Sequence, residues 1–275
     1  MRIFTVDAFT GSPFAGNPAA VCLCSGVLPD RLMQDIATEM NLSETAFVTP
    51  LNFSEIDRET RFGLRWFTPA VEVDLCGHAT LASACVLFER IGNTNETIVF
   101  ETRSGDLPVR REKPGEFTLD FPENGQMKSC PIPGNLLQAL KIPSAVETII
   151  EANTATLLLV LADEQEVKDV SPDYPELLRI DYAFPVKGLI VSAAGKKYDC
   201  VSRVFVPWEG IPEDPVTGSA HTILYPYWSK VLKKPVLRAC QASRRGGEML
   251  LRSGNPGRVL ITGSAVTVIE GELAV

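Results

Sequence analysis

Histidine is scarce in this chain. Its 275 residues include two, His78 and His221. No run of basic residues is longer than a pair such as Arg244-Arg245, and 26 Lys and Arg against 34 Asp and Glu leave a net charge of −8. A nucleic-acid partner, which needs clustered cations, is therefore not expected, and neither is an anionic membrane surface. No apolar run approaches the roughly 18 residues of a spanning helix; none is longer than the six residues from Leu157 to Ala162. The N-terminus shows no apolar h-region, so a cytoplasmic location is the simplest expectation. The seven cysteines are odd in number and contain no CxxC, which argues against a disulfide framework or zinc ribbon. Neither GxGxxG nor GxxxxGK[ST] occurs, so no nucleotide-binding loop is indicated.

What remains is an ordinary globular composition, 45% apolar and 22% charged, long enough for one large domain or two. Strands are predicted at 2–8, 18–24, 44–49, 62–68, 97–102, 107–111 and 117–121. Leu32, Ile36 and Met40 recur as one helix face behind Pro29. Ala79 to Phe88 is apolar nearly all round, the pattern of a buried helix. The Pro- and Gly-rich stretch Phe121 to Gly134 is the best domain boundary. Beyond it come a helix near 135–141, strands near 155–162, 188–194 and 200–206, a helix after Gly218, and strands at 248–252, 258–262 and 265–272.

The chain repeats itself weakly. Gly77-His78-Ala79-Thr80 and Gly218-Ser219-Ala220-His221 each follow an acidic segment and precede an apolar helix, and the glycines lie 141 residues apart. Two helix N-termini facing one cleft would form an anion site for a carboxylate or enolate; the plain alternative is a pair of tight turns. Both histidines sit in these turns. At a helix start the positive potential should favour a neutral His78, either catalytic or structural. Asp214 is a helix cap or a cleft carboxylate. Glu44, in NLSETAFV, is by default an exposed turn residue; as a general base it would need a partly apolar pocket. Cys76 precedes a helix N-terminus, where a thiol pKa falls. The matching positions, Val216 and Thr217, offer no second thiol for a two-cysteine racemase. Cys76-x-His78 is too short for a usual zinc pair. Gln241 to Gly247 is a solvated turn or an anion-facing loop.

The segments GNPAAV (16–21), NLSETAFV (41–48), LRWFTP (64–69), DLCGHATLA (74–82), EDPVTGSAH (213–221) and QASRRGGE (241–248) resemble, in order, the phenazine-biosynthesis-like (PhzF) family, in wording closest to its eukaryotic-type members. The resemblance implies an α+β, diaminopimelate-epimerase-like fold: two β-barrel-like domains, 1–121 and 122–263, each wrapped on a central helix, with the active site between them and 264–275 returning to the first.

It also implies a cofactor-free isomerase that moves a proton between carbons of a small carboxylated metabolite. Glu44 falls on the acid/base position, His78 and Asp214 on supporting positions, and Gly77, Gly218 and Ser219 on the turns that hold the substrate. No metal is implied, and a homodimer is the family expectation. Pro226 departs from the pattern and should kink or shorten the second helix. The rivals are a scaffold that keeps the fold without turnover and an epimerase using Cys76 with Glu44.

Overall fold

The alternating residues at the start of the chain form β1 (Arg2–Ala8), with Phe4, Val6 and Ala8 shut away from solvent, as the two-residue period of a strand dictates. The computed structural model describes all 275 residues. They fall into two compact units, Met1–Phe121 with Leu260–Val275, and Pro122–Val259. No helix is long and apolar enough to cross a membrane.

In the first unit β1 pairs antiparallel with β2 (Asn17–Leu23). Helix α1 (Asp30–Met40) then crosses to β3 (Glu44–Pro50), which lies parallel to β2. The buried face of α1 is Met33, Ile36 and Ala37, packed on Cys22, Cys24, Phe47 and Phe67. Next come β4 (Arg61–Phe67) and the short β5 (Glu72–Val73), each antiparallel to its predecessor. Helix α2 (Gly77–Cys85) follows, and β6 (Thr97–Thr102) returns parallel to β4. β7 (Gly105–Lys113) and β8 (Glu116–Pro122) complete a meander.

All nine residues of α2 are buried. Its polar residues survive because Thr80 and Ser83 donate back to the carbonyls of Cys76 and Ala79, at 2.5 and 2.7 Å, the usual solution for hydroxyls in a buried helix. The helix continues as a π-turn over Val86–Arg90.

The second unit repeats this order. After β9 (Met127–Ser129) and α3 (Leu136–Leu140) come β10 (Glu147–Glu151) and β11 (Thr156–Val160), an antiparallel pair. Two short helices, α4 (Glu164–Asp169) and α5 (Tyr174–Arg179), lead to β12 (Gly188–Ala194), parallel to β11. β13 (Cys200–Val206) and β14 (Ile211–Asp214) are antiparallel. Helix α6 (His221–Leu232) then leads to β15 (Val236–Gln241), parallel to β13, and β16 (Gly247–Ser253) follows antiparallel. Leu136, Leu140, Leu157, Leu159, Leu189, Val191 and Phe205 form its core. The strands 147–151 and 236–241 and the helices α4 and α5 are absent from the sequence expectations.

The last strand, β17 (Arg258–Glu272), is one element of 15 residues rather than the two expected. Its pairing with β1 and β8 closes a barrel of eight strands in the first unit.

Pro226 neither stops nor shortens α6, contrary to expectation. Proline lacks the N–H that would reach the Thr222 carbonyl four residues back. That carbonyl accepts instead from the Asn124 backbone N–H at 3.2 Å, while Asn124 Nδ2 donates to Thr222 Oγ1 at 2.9 Å. An external donor thus replaces the missing helical one.

Candidate active site

β3 begins with Glu44, whose neighbours Ala46, Phe47 and Val48 are buried. Its side chain is 14% exposed, so it is not the open turn residue of the default expectation. The buried start of α2 brings His78 to it, with Nε2 3.1 Å from Glu44 Oε2. Neither atom has an aligned hydrogen-bond partner, so the contact is electrostatic at hydrogen-bond distance. On the other side of the ring, Nδ1 lies 3.2 Å from Asn17 Nδ2 and 3.5 Å from Cys76 Sγ.

Two electrostatic expectations are corrected here. His78 is not driven neutral by its helix start. Burial opposes a charge on the ring, but Cys76 and Glu44 outweigh it and hold the imidazole well above its usual pKa. Cys76 is not acidified. Burial first, then the nearby Glu44, push its thiol up to about 11. The thiol is therefore mostly protonated at neutral pH, and it meets the ring as a sulfur partner 3.5 Å from Nδ1.

Glu44, Cys76 and His78 place their donor atoms within 4.8 Å of one another, close enough to hold an ion. The fit is poor. The carboxylate and the sulfur face opposite ring nitrogens, whereas a metal takes one nitrogen and needs a thiolate with it. The arrangement suits a proton relay better than a ligand set.

Asn17 is a further member of this cluster, beyond the residues the sequence motifs mark as the site. Its signal lay in GNPAAV. Gly16 has φ +64, and a Cβ there would meet the Ala8 carbonyl oxygen at 2.1 Å, so only glycine can deliver Asn17 to the start of β2.

In the second unit, Gly218, Ser219 and Ala220 form the turn before α6, and His221 is the first helical residue. Asp214 ends β14. It is not the helix cap: α6 starts after Ala220 without a side-chain cap, and Asp214 Oδ2 accepts from Thr217 Oγ1. Fully buried Gln241 fastens this turn. Its Oε1 accepts from the Thr217 N–H at 2.8 Å, and its Nε2 donates to the Asp214 carbonyl at 2.7 Å. Ser243 adds a bond to the Pro215 carbonyl at 2.6 Å. The segment Gln241 to Gly247 is thus neither merely a solvated turn nor a demonstrated anion loop; it braces the Asp214 turn. His221 Nδ1 lies 2.8 Å from the Thr217 carbonyl, and burial lowers its pKa to about 4.

An eight-stranded barrel around a helix, with its strand order repeated in a second unit, is the α+β fold of proline racemase and diaminopimelate epimerase. A probable proline racemase from Agrobacterium radiobacter shares it, with a TM-score of 0.60 at 11% identity over 99% of this chain and 92% of that one. The chain belongs to the PhzC-PhzF family of phenazine biosynthesis-like proteins, whose pattern matches residues 6–271. It is 46% identical to mouse phenazine biosynthesis-like domain-containing protein 2, over 99% of each chain. A Pseudomonas aeruginosa protein named as an uncharacterized isomerase is 44% identical, over 99% of this chain and 98% of its own. A PhzF-family structure from Enterococcus faecalis superposes with a TM-score of 0.89 at 41% identity, covering 100% of this chain and 99% of that one.

Proposed function

We propose that the protein is an isomerase that moves a proton between carbons of a small carboxylated metabolite, with Glu44 as general acid and base and with no metal or organic cofactor. One observation carries this reading. Glu44 Oε2 and His78 Nε2 are buried, lack aligned partners and stand 3.1 Å apart. Buried polar atoms are almost always satisfied, so a pair left open is a place for a reacting group. Family membership and the relatives named as isomerases support the reaction class.

In this reading Glu44 removes the proton from an acidified carbon and returns it elsewhere. His78, favoured in its charged form, offsets the carboxylate and steadies it. The first amides of α2, at Gly77 and His78, have no acceptor within their own helix and suit a carboxylate or enolate. Asp214, Gly218 and Ser219 take the orienting and substrate-holding roles implied by the family motif. The Cys76 epimerase is disfavoured, because a thiol with a pKa of about 11 is a poor base at neutral pH.

The test is solvent-deuterium exchange followed by NMR. Wild type and Glu44→Gln are incubated in D₂O with a panel of small cyclic and amino carboxylates. Exchange at a carbon position in wild type, lost in the variant while its fold persists, is the expected result. Exchange that survives the substitution refutes the role of Glu44. A panel that neither exchanges nor binds favours the scaffold reading.

A further inference from the structure

His78 is held between three groups, each from a different segment of the first unit: Asn17 at the start of β2, Cys76 just before α2, and Glu44 at the start of β3. Glu44 and Cys76 are the titratable ones. Asn17 is fully buried and His78 nearly so, so water cannot easily substitute for a lost partner. We propose that Asn17 is a positioning residue that fixes which nitrogen of His78 carries the proton and keeps that nitrogen's neighbour partnered when the ring becomes charged. The proposal rests on the reading that His78 serves Glu44.

The argument is one of donors and acceptors. Asn17 presents its Nδ2 to His78 Nδ1 at 3.2 Å. An amide N–H can only donate, so Nδ1 must offer a lone pair, and the neutral ring then carries its proton on Nε2. That nitrogen is the one facing Glu44 Oε2. The neutral ring therefore turns its protonated nitrogen toward the carboxylate of Glu44.

When the ring takes a second proton, Nδ1 becomes a donor as well. A half-turn of the carboxamide then presents Oδ1 in place of Nδ2, and the Cys76 sulfur at 3.5 Å is a second acceptor. Asparagine is the residue type of this size that partners both states. Aspartate could accept only, and would hold the imidazolium. Leucine could do neither. Gly16 fixes the backbone so that the amide arrives at this place.

The experiment uses the whole chain with ¹⁵N-labelled histidine and follows the imidazole nitrogens by NMR as pH is raised. Two histidines give two sets of signals, and His221→Asn assigns them. The neutral His78 ring should show an acceptor-type Nδ1 and a protonated Nε2. Asn17→Asp should raise the His78 titration midpoint by at least about one pH unit, the scale of an added carboxylate neighbour; Asn17→Leu should mix the tautomers.

A neutral wild-type ring protonated on Nδ1 overturns the proposal. So does an unmoved midpoint in Asn17→Asp while the His221 signals remain native. If the variants do not fold, the wild-type tautomer alone decides. No turnover is read, so failure here leaves the role of Glu44 standing, and failure of the exchange test leaves the tautomer result standing.

Discussion

Replacing His221 with Asn should remove a pH dependence that the wild-type chain carries. Nδ1 of this ring is committed to the Thr217 carbonyl. Nε2 is buried without a partner, so protonation there would create an unpaired charge in the core of the second unit. Burial accordingly lowers the pKa from 6.5 to about 4. Above pH 6.5 the ring is neutral whether the chain is folded or not. As pH falls below that value the unfolded chain takes the proton first and the folded one refuses it. Stability is therefore lost between about pH 6.5 and pH 4, and the loss levels off below. At 1.36 kcal/mol per unit, the full loss is about 3 kcal/mol, of which about 2 kcal/mol falls between roughly pH 7.5 and pH 5. Asparagine is the chosen replacement because its Nδ2 can still donate to the Thr217 carbonyl. Urea unfolding of both proteins near pH 7.5 and near pH 5 provides the measurement. Subtraction cancels the other titrating groups, including His78, whose raised pKa acts in the opposite direction. If the stability gap between the two proteins changes by less than about 0.5 kcal/mol over that interval, the ring does not titrate as its burial requires.

Two other outcomes can be checked without a substrate. Gly16→Ala should cost about 2–4 kcal/mol in urea unfolding, since the new Cβ meets the Ala8 carbonyl at 2.1 Å with the backbone at φ +64; a cost below about 0.5 kcal/mol would mean the turn yields easily. Cys76 should react with iodoacetamide near pH 8 about a hundredfold more slowly in the folded than in the unfolded chain, judged by peptide mass spectrometry, because its thiol is raised from 9.0 to about 11. Rapid labelling of native Cys76 would revive the epimerase reading.

Where a strand alternates in burial, or is a short apolar run buried on both faces, the sequence is readable. Thr97–Thr102, Gly188–Ala194 and Cys200–Val206 stand as strands with the expected bounds; the first alternates in burial, and the other two are short runs buried on both faces. Helices α4 and α5 have six residues each, too few for a helical period to register. Their caps were the legible sign: Asp163 accepts from the amides of Gln165 and Glu166, and Asp173 from that of Glu176. The charge states at the site were misjudged for a different reason. The helix-start argument for Cys76 and His78 concerns the local chain, whereas the deciding groups are burial and Glu44, a carboxylate brought in from β3. A contact between Glu44 and His78 leaves no trace in spacing. The role of Pro226 was obscured similarly, since the donor that rescues its helix is Asn124, about a hundred residues earlier.

The repeat makes the asymmetry of the chemistry visible. Strand for strand, β2, β3 and the turn before α2 correspond to β11, β12 and the turn before α6. The first unit begins these segments with Asn17, Glu44 and Gly77-His78; the second begins them with Thr156, Gly188 and Gly218-Ser219. The duplicated fold has thus kept a glycine turn in both halves, while the cluster of Glu44, Cys76 and His78 stands in one. A racemase that inverts a carbon needs a base on one face and an acid on the other. Here the second half offers glycine where the first has its carboxylate, and valine and threonine near where it has its thiol. A single carboxylate that takes a proton must also return it, from the same side. On the proposed reading Glu44 therefore moves the proton along one face of the substrate, which favours an isomerisation between carbons over an inversion at one.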